Sequence, residues 1–71
     1  MSNMMQILSE RLKELRTDNK LSTRELAIAI NVSPSTISKW ELCQRVPSAE
    51  NLLALAIYFK VSSDFLIGLE N

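Results

Sequence analysis

Histidine is absent from this 71-residue chain, and it contains one cysteine and one glycine. With no imidazole and a single thiol, the chain offers neither a nucleophile–base pair nor the ligands of a zinc site. Catalytic and metal-binding residues are therefore expected to be none, and carboxylate pairs such as Glu10 and Glu14 read as helix surface. The lone Cys43 cannot close an internal disulfide, which fits a reducing, cytoplasmic compartment, and in sequence it reads as a small linker residue. One glycine leaves no Gly-rich phosphate loop, and neither a cofactor nor a small-molecule ligand is evident. The longest apolar run, residues 52–59, is too short to span a bilayer, and residues 1–6 carry no basic signal-peptide region. No membrane partner is expected.

Net charge is also lacking, since eight Lys/Arg offset eight Asp/Glu. The balance is uneven along the chain. Residues 1–47 are net +2 and residues 48–71 net −2, so any nucleic-acid footprint falls in the first part and neutralises few phosphates. At 46% hydrophobic residues the chain can bury one core, and it reads as a single domain over residues 1–71, ordered from about residue 6 to residue 69.

What is present is organised around residues 22–45. Ser22-Thr23-Arg24-Glu25 is a capping box that starts a helix, and Asn31 is suited to the left-handed conformation that ends one. Ser33-Pro34 starts the next helix, with an N-cap hydroxyl followed by a proline whose missing N–H costs nothing at that position. That helix turns Ile37 and Trp40 to one face, which reads as core, and Ser35, Thr36, Ser38 and Lys39 to the others. Two short helices joined by a tight turn hold the second one out as a probe.

Around this pair, Leu8, Leu12 and Leu15 form the stripe of a first helix running to about Asn19, with Asn3 and Gln6 as a candidate start and residues 1–5 frayed. Ser48 caps a fourth helix to about Phe59, with Leu52, Leu55, Ala56 and Phe59 toward the core and Leu53 beside them. Ala54, Ile57 and Tyr58 form a second apolar stripe on it, which either the final segment or a second subunit must cover. Ser62 or Ser63 caps a last short helix carrying Phe65, Leu66 and Leu69, with Gly68 as its stop.

The runs 21–27, 31–33 and 35–41, followed by Pro47-Ser48 and residues 61–68, resemble in order the Cro/C1-type (Xre-like) helix-turn-helix family. The likeness covers about residues 7–69. It implies an all-α, compact five-helix bundle of the lambda-repressor-like DNA-binding kind. It also implies a transcriptional regulator, most often a repressor, that reads the major groove of double-stranded DNA with its third helix. Binding would be as a homodimer on a palindromic operator.

Carried onto this chain, the family's base-reading positions are Pro34, Ser35 and Lys39. Thr36 and Ser38 are candidates for base or phosphate contact, and the Ser33 cap beside them is counted among the DNA-binding residues. Lys39 suits guanine, Ser35 is versatile, and Pro34 can only pack on a thymine methyl or start the helix. Thr23, Arg24, Gln44 and Arg45 are the phosphate candidates. Arg16 is expected to pair with Glu41 and set the angle of the probe. Leu42-Cys43 replaces the family's frequent Asn-Gly, so the turn there must hold a non-glycine residue at positive φ or take another geometry. Lys60 stands where relatives often have glycine. A dimer contact is expected from Phe65, Leu66 and Leu69, with Ala54, Ile57 and Tyr58. A reading from another class keeps the fold without specific DNA binding, as an antitoxin-like or oligomerisation module; the zero net charge and the apolar fourth helix support it.

Overall fold

The computed structural model describes residues 3–70. Five helices follow one another, α1 Met4–Asp18, α2 Thr23–Ile30, α3 Pro34–Glu41, α4 Ala49–Phe59 and α5 Ser63–Ile67. There is no strand among the described residues. The helices are short because the chain punctuates each one locally. Asn3, Ser22, Ser33, Ser48 and Ser62 each accept a backbone N–H of the first turn, which satisfies an otherwise orphaned donor. The Ser22–Glu25 capping box is closed in both directions, at 2.9 and 3.0 Å. The Asn3 cap starts α1 at Met4, earlier than the fraying expected for residues 1–5; Met1 and Ser2 lie outside the described residues, as does Asn71.

Helix ends follow one rule as well. Lys20, Asn31, Cys43, Lys60 and Gly68 all take positive φ, between 57 and 89°, and each reverses the chain just past its helix. At α3 the Gln44 amide donates to the Lys39 carbonyl at 2.8 Å and the Cys43 amide to the Trp40 carbonyl at 3.3 Å, the paired closure of a Schellman motif. The turn that the family commonly makes with glycine is therefore kept, with Cys43 and Lys60 held left-handed in glycine's place. Four of the five positions carry a Cβ, at a steric cost that is small for Asn31 and larger for the others.

One core fills the space between the helices. Leu8 and Leu12 of α1, Leu26 and Ala27 of α2, Ile37 and Trp40 of α3, Leu55 and Ala56 of α4, and Leu66 of α5 are buried. Leu52 and Phe59 pack against them partly exposed, whereas Leu53, expected beside the core stripe, is exposed. α2 packs on α3 and α4, while α1 backs both α3 and α5. Leu66 corrects an expectation. It is 0% exposed inside this core, because the single turn of α5 points it at α1 and α4, so it cannot form a dimer contact.

Candidate nucleic-acid interface

The probe helix α3 is one side core and one side solvent. Ile37 and Trp40 anchor it, leaving Pro34, Ser35 and Lys39 exposed and Thr36 and Ser38 half-buried on its flanks. Ser33 Oγ accepts the Thr36 amide at 3.3 Å and lies 2.8 Å from Thr36 Oγ1 and 3.1 Å from Ser35 Oγ. The first turn thus presents three hydroxyls, with those of Ser35 and Thr36 each bonded to Ser33 Oγ, rather than three free rotors.

Leu42 closes the same helix. It is 64% exposed, and at i+7 from Ser35 and i+3 from Lys39 it extends their face by a turn. From sequence it falls in the turn after the helix, with no role of its own. Its signal was the absence of any apolar partner at helical spacing on the buried side of α3.

Three ties fix α3 against α1. Arg16 Nε meets Glu41 Oε2 at 2.6 Å and Nη2 meets Oε1 at 3.0 Å, a two-pronged pair, while Nη1 donates to the Leu21 carbonyl at 2.7 Å. The two side chains are 14% and 8% exposed, so the pair is largely shielded from water. The hydrogen bond to Glu41 holds the Arg16 pKa above its ordinary value, partial burial opposes this, and the carboxylate's charge adds to it. Arg16 therefore stays charged in any ordinary buffer.

The second tie is Ser9, a buried serine whose Oγ donates to the Trp40 carbonyl at 2.5 Å. The third runs through the same hydroxyl, which accepts from Cys43 Sγ at 3.1 Å. Sequence reading missed Ser9. Its only signal was a polar residue at i−3 from Leu12, on the edge of a leucine stripe.

The phosphate candidates lie at the start of α2 and just past the end of α3. Arg24, Gln44 and Arg45 are exposed and Thr23 is half-buried. The capping box engages Ser22 and Glu25, and the amides of Thr23 and Arg24 have no acceptor among the described residues. Free amides at the start of a helix attract anions.

Arg11, on the charged side of α1, does a structural task. Its Nη1 donates to the Phe65 carbonyl, and to that of Glu70 at 2.8 Å, and its guanidinium sits 4.3 Å from the centre of the Phe65 ring. This clasp holds α5 on α1 and occupies one face of Phe65. Ile57, Tyr58 and Leu69 are exposed, with Tyr58 set edge-on to Phe59, and Ala54 is half-buried. No group of three or more Cys, Asp or Glu placed to hold a metal occurs among the described residues. No helix there is long and apolar enough to cross a membrane.

Comparison with known proteins places this geometry. A family described as helix-turn-helix matches residues 12–66. The transcriptional activator BcrR of Enterococcus faecalis is 37% identical over 60 residues, covering 84% of this chain and 29% of that protein. Repressor protein C2 of Salmonella phage P22 is 36% identical over 62 residues, covering 87% of this chain and 29% of the repressor. This chain thus spans under a third of the length of both relatives. The crystal structure of the P22 c2 repressor protein in complex with a synthetic operator superposes with a TM-score of 0.84 at 33% identity, over 89% of this chain and 96% of that one. With the profile covering most of its length and the fold agreeing with that repressor's, the chain belongs to the Cro/C1-type (Xre-like) helix-turn-helix family.

Proposed function

We propose that this chain is a sequence-specific double-stranded DNA-binding domain of a transcriptional regulator, acting in the cytoplasm as a homodimer on a palindromic operator. The observation that carries this is the exposed outer face of α3, tied to α1 at Trp40 and Glu41 in its last turn. A probe so fixed enters a major groove at one angle. The likeness to a repressor crystallised with a synthetic operator supports the same use.

In this reading Lys39 donates to guanine O6 and N7, and Ser35 reaches a neighbouring base edge. Pro34 and Leu42 offer apolar contact to thymine methyl groups. Thr36 and Ser38 contact base or backbone at the groove wall, with Ser33 ordering the first turn between them. Thr23, Arg24, Gln44 and Arg45 take phosphates, Thr23 chiefly through its backbone amide. With few cations per subunit, non-specific affinity is weak and two subunits are needed for a stable complex. Half-sites then lie about one helical turn apart. A domain of this kind represses by occupying DNA that the transcription machinery requires.

The test is selection from random duplex DNA at roughly 0.15 M salt, because affinity for DNA has meaning only at a stated ionic strength. An enriched palindrome with half-sites about 10 base pairs apart supports the reading. Weak binding that vanishes on adding salt, with no enriched sequence, would overturn it and leave a protein-interaction module.

A further inference from the structure

The outer face of α4 carries a pattern that reads the same when the helix is reversed. Glu50, Leu53 and Ile57 stand at i, i+3 and i+7 along α4, the spacing of a seam for a second helix, Lys60 is the left-handed cap just past its end, and all four are exposed. The two apolar members are 57% and 68% exposed, so α5 does not cover them. Their flanks carry opposite charges at opposite ends, and neither Glu50 nor Lys60 makes a salt bridge among the described residues.

We propose that a second copy of this chain docks on this face, with the two α4 helices antiparallel about a two-fold axis. The register that sets Leu53 against Ile57 of the second copy also sets Glu50 against its Lys60, and the symmetry repeats both contacts. Ala54, small and central on the helix, lets the backbones approach, and Tyr58 borders the contact. An isologous interface requires such a self-complementary patch. A parallel pairing would set Glu50 against Glu50 and Lys60 against Lys60. The charges therefore select both the partner and the direction, and each end of the helix presents the charge favoured by its own dipole. This inference rests on the two-subunit reading above and assigns its contact.

Sedimentation equilibrium on Glu50→Lys, Lys60→Glu and their equimolar mixture tests it, at about 50 mM salt so that charges are weakly screened. Each variant alone turns two attractive pairs into two repulsive ones, and its dissociation constant rises about tenfold over wild type. In the mixture the two introduced side chains face each other with opposite charge. The unaltered Lys60 of one chain meets the unaltered Glu50 of the other, so a heterodimer forms with near wild-type affinity; tags of different mass identify it. Ile57→Gln, at an exposed position that leaves the core intact, weakens the dimer without changing the melting temperature of the dilute monomer. A wild-type dimer with a mixture no tighter than its components overturns this pairing while leaving the two-subunit reading in place. A wild-type chain that stays monomeric at roughly millimolar concentration and binds DNA only one copy at a time overturns both.

Discussion

Ser9 Oγ donates to the carbonyl of Trp40 at 2.5 Å from within the core, joining the second turn of α1 to the last turn of α3. Ser9→Ala removes that bond and the acceptor of the Cys43 thiol. It is expected to cost about 1–2 kcal/mol, which for a domain of this size lowers the melting temperature by about 5–10 °C. Thermal unfolding by circular dichroism measures it. An unchanged melting temperature would mean that α3 is held without this tie.

The Arg16–Glu41 pair is the other tie. Arg16→Ala leaves a shielded carboxylate without its partner and is expected to destabilise the fold by about 2–3 kcal/mol. The Arg16→Ala/Glu41→Ala double variant is expected to lose less than the sum of the two singles. Arg16→Lys should not restore stability, because an ammonium cannot make the two-pronged contact. Additive losses in a denaturant-based double-mutant cycle would show that the pair contributes no coupling.

On DNA, Lys39→Ala and Arg24→Ala should part company. Loss of a base contact relaxes sequence preference by about 1–3 kcal/mol at one position, whereas loss of a phosphate contact weakens binding to all sequences and reduces the salt slope by about 1. Titrations of selected and scrambled duplexes across a range of salt separate the two. A reversed pattern would exchange the roles of the two residues.

Backbone strain gives a prediction of opposite sign. Lys20 holds φ at 57° and its exposed side chain makes no hydrogen bond among the described residues. Lys20→Gly is therefore expected to raise stability by up to about 1 kcal/mol. Gly68→Ala should do the reverse. Its φ of 89° disfavours a side chain, and a Cβ there would come within 2.8 Å of Ile7 Cδ1 and 3.1 Å of its Cγ2, so the Ile7 side chain must give way. Urea unfolding of both variants tests the pair of signs.

By itself the sequence determined the punctuation of the chain. Oxygen-bearing caps at Ser22, Ser33 and Ser48, one of Ser62 and Ser63, the Glu25 box, Pro34 and Gly68 act within four residues of where they stand. Local hydrogen bonding settles them, so the five helices and the helix-turn-helix were legible. So was the assignment of Ile37 and Trp40 to the core, through their spacing. Pairing across the fold was legible only at Arg16 and Glu41, and there through family resemblance rather than spacing.

Tertiary structure decided the rest, because burial depends on how helices cross and not on the periodicity of one helix. Leu66 and Leu69 look alike in sequence, yet one fills the core and the other is exposed. Leu53 lies next to a core-packed residue in sequence but on the outer side of α4 in space. Ser9 and Arg11, both unremarkable on a polar helix, become the ties from α1 to α3 and α5 once those helices lie across it. How rigidly the probe is held, and which face of α4 remains for a partner, follow from those crossings.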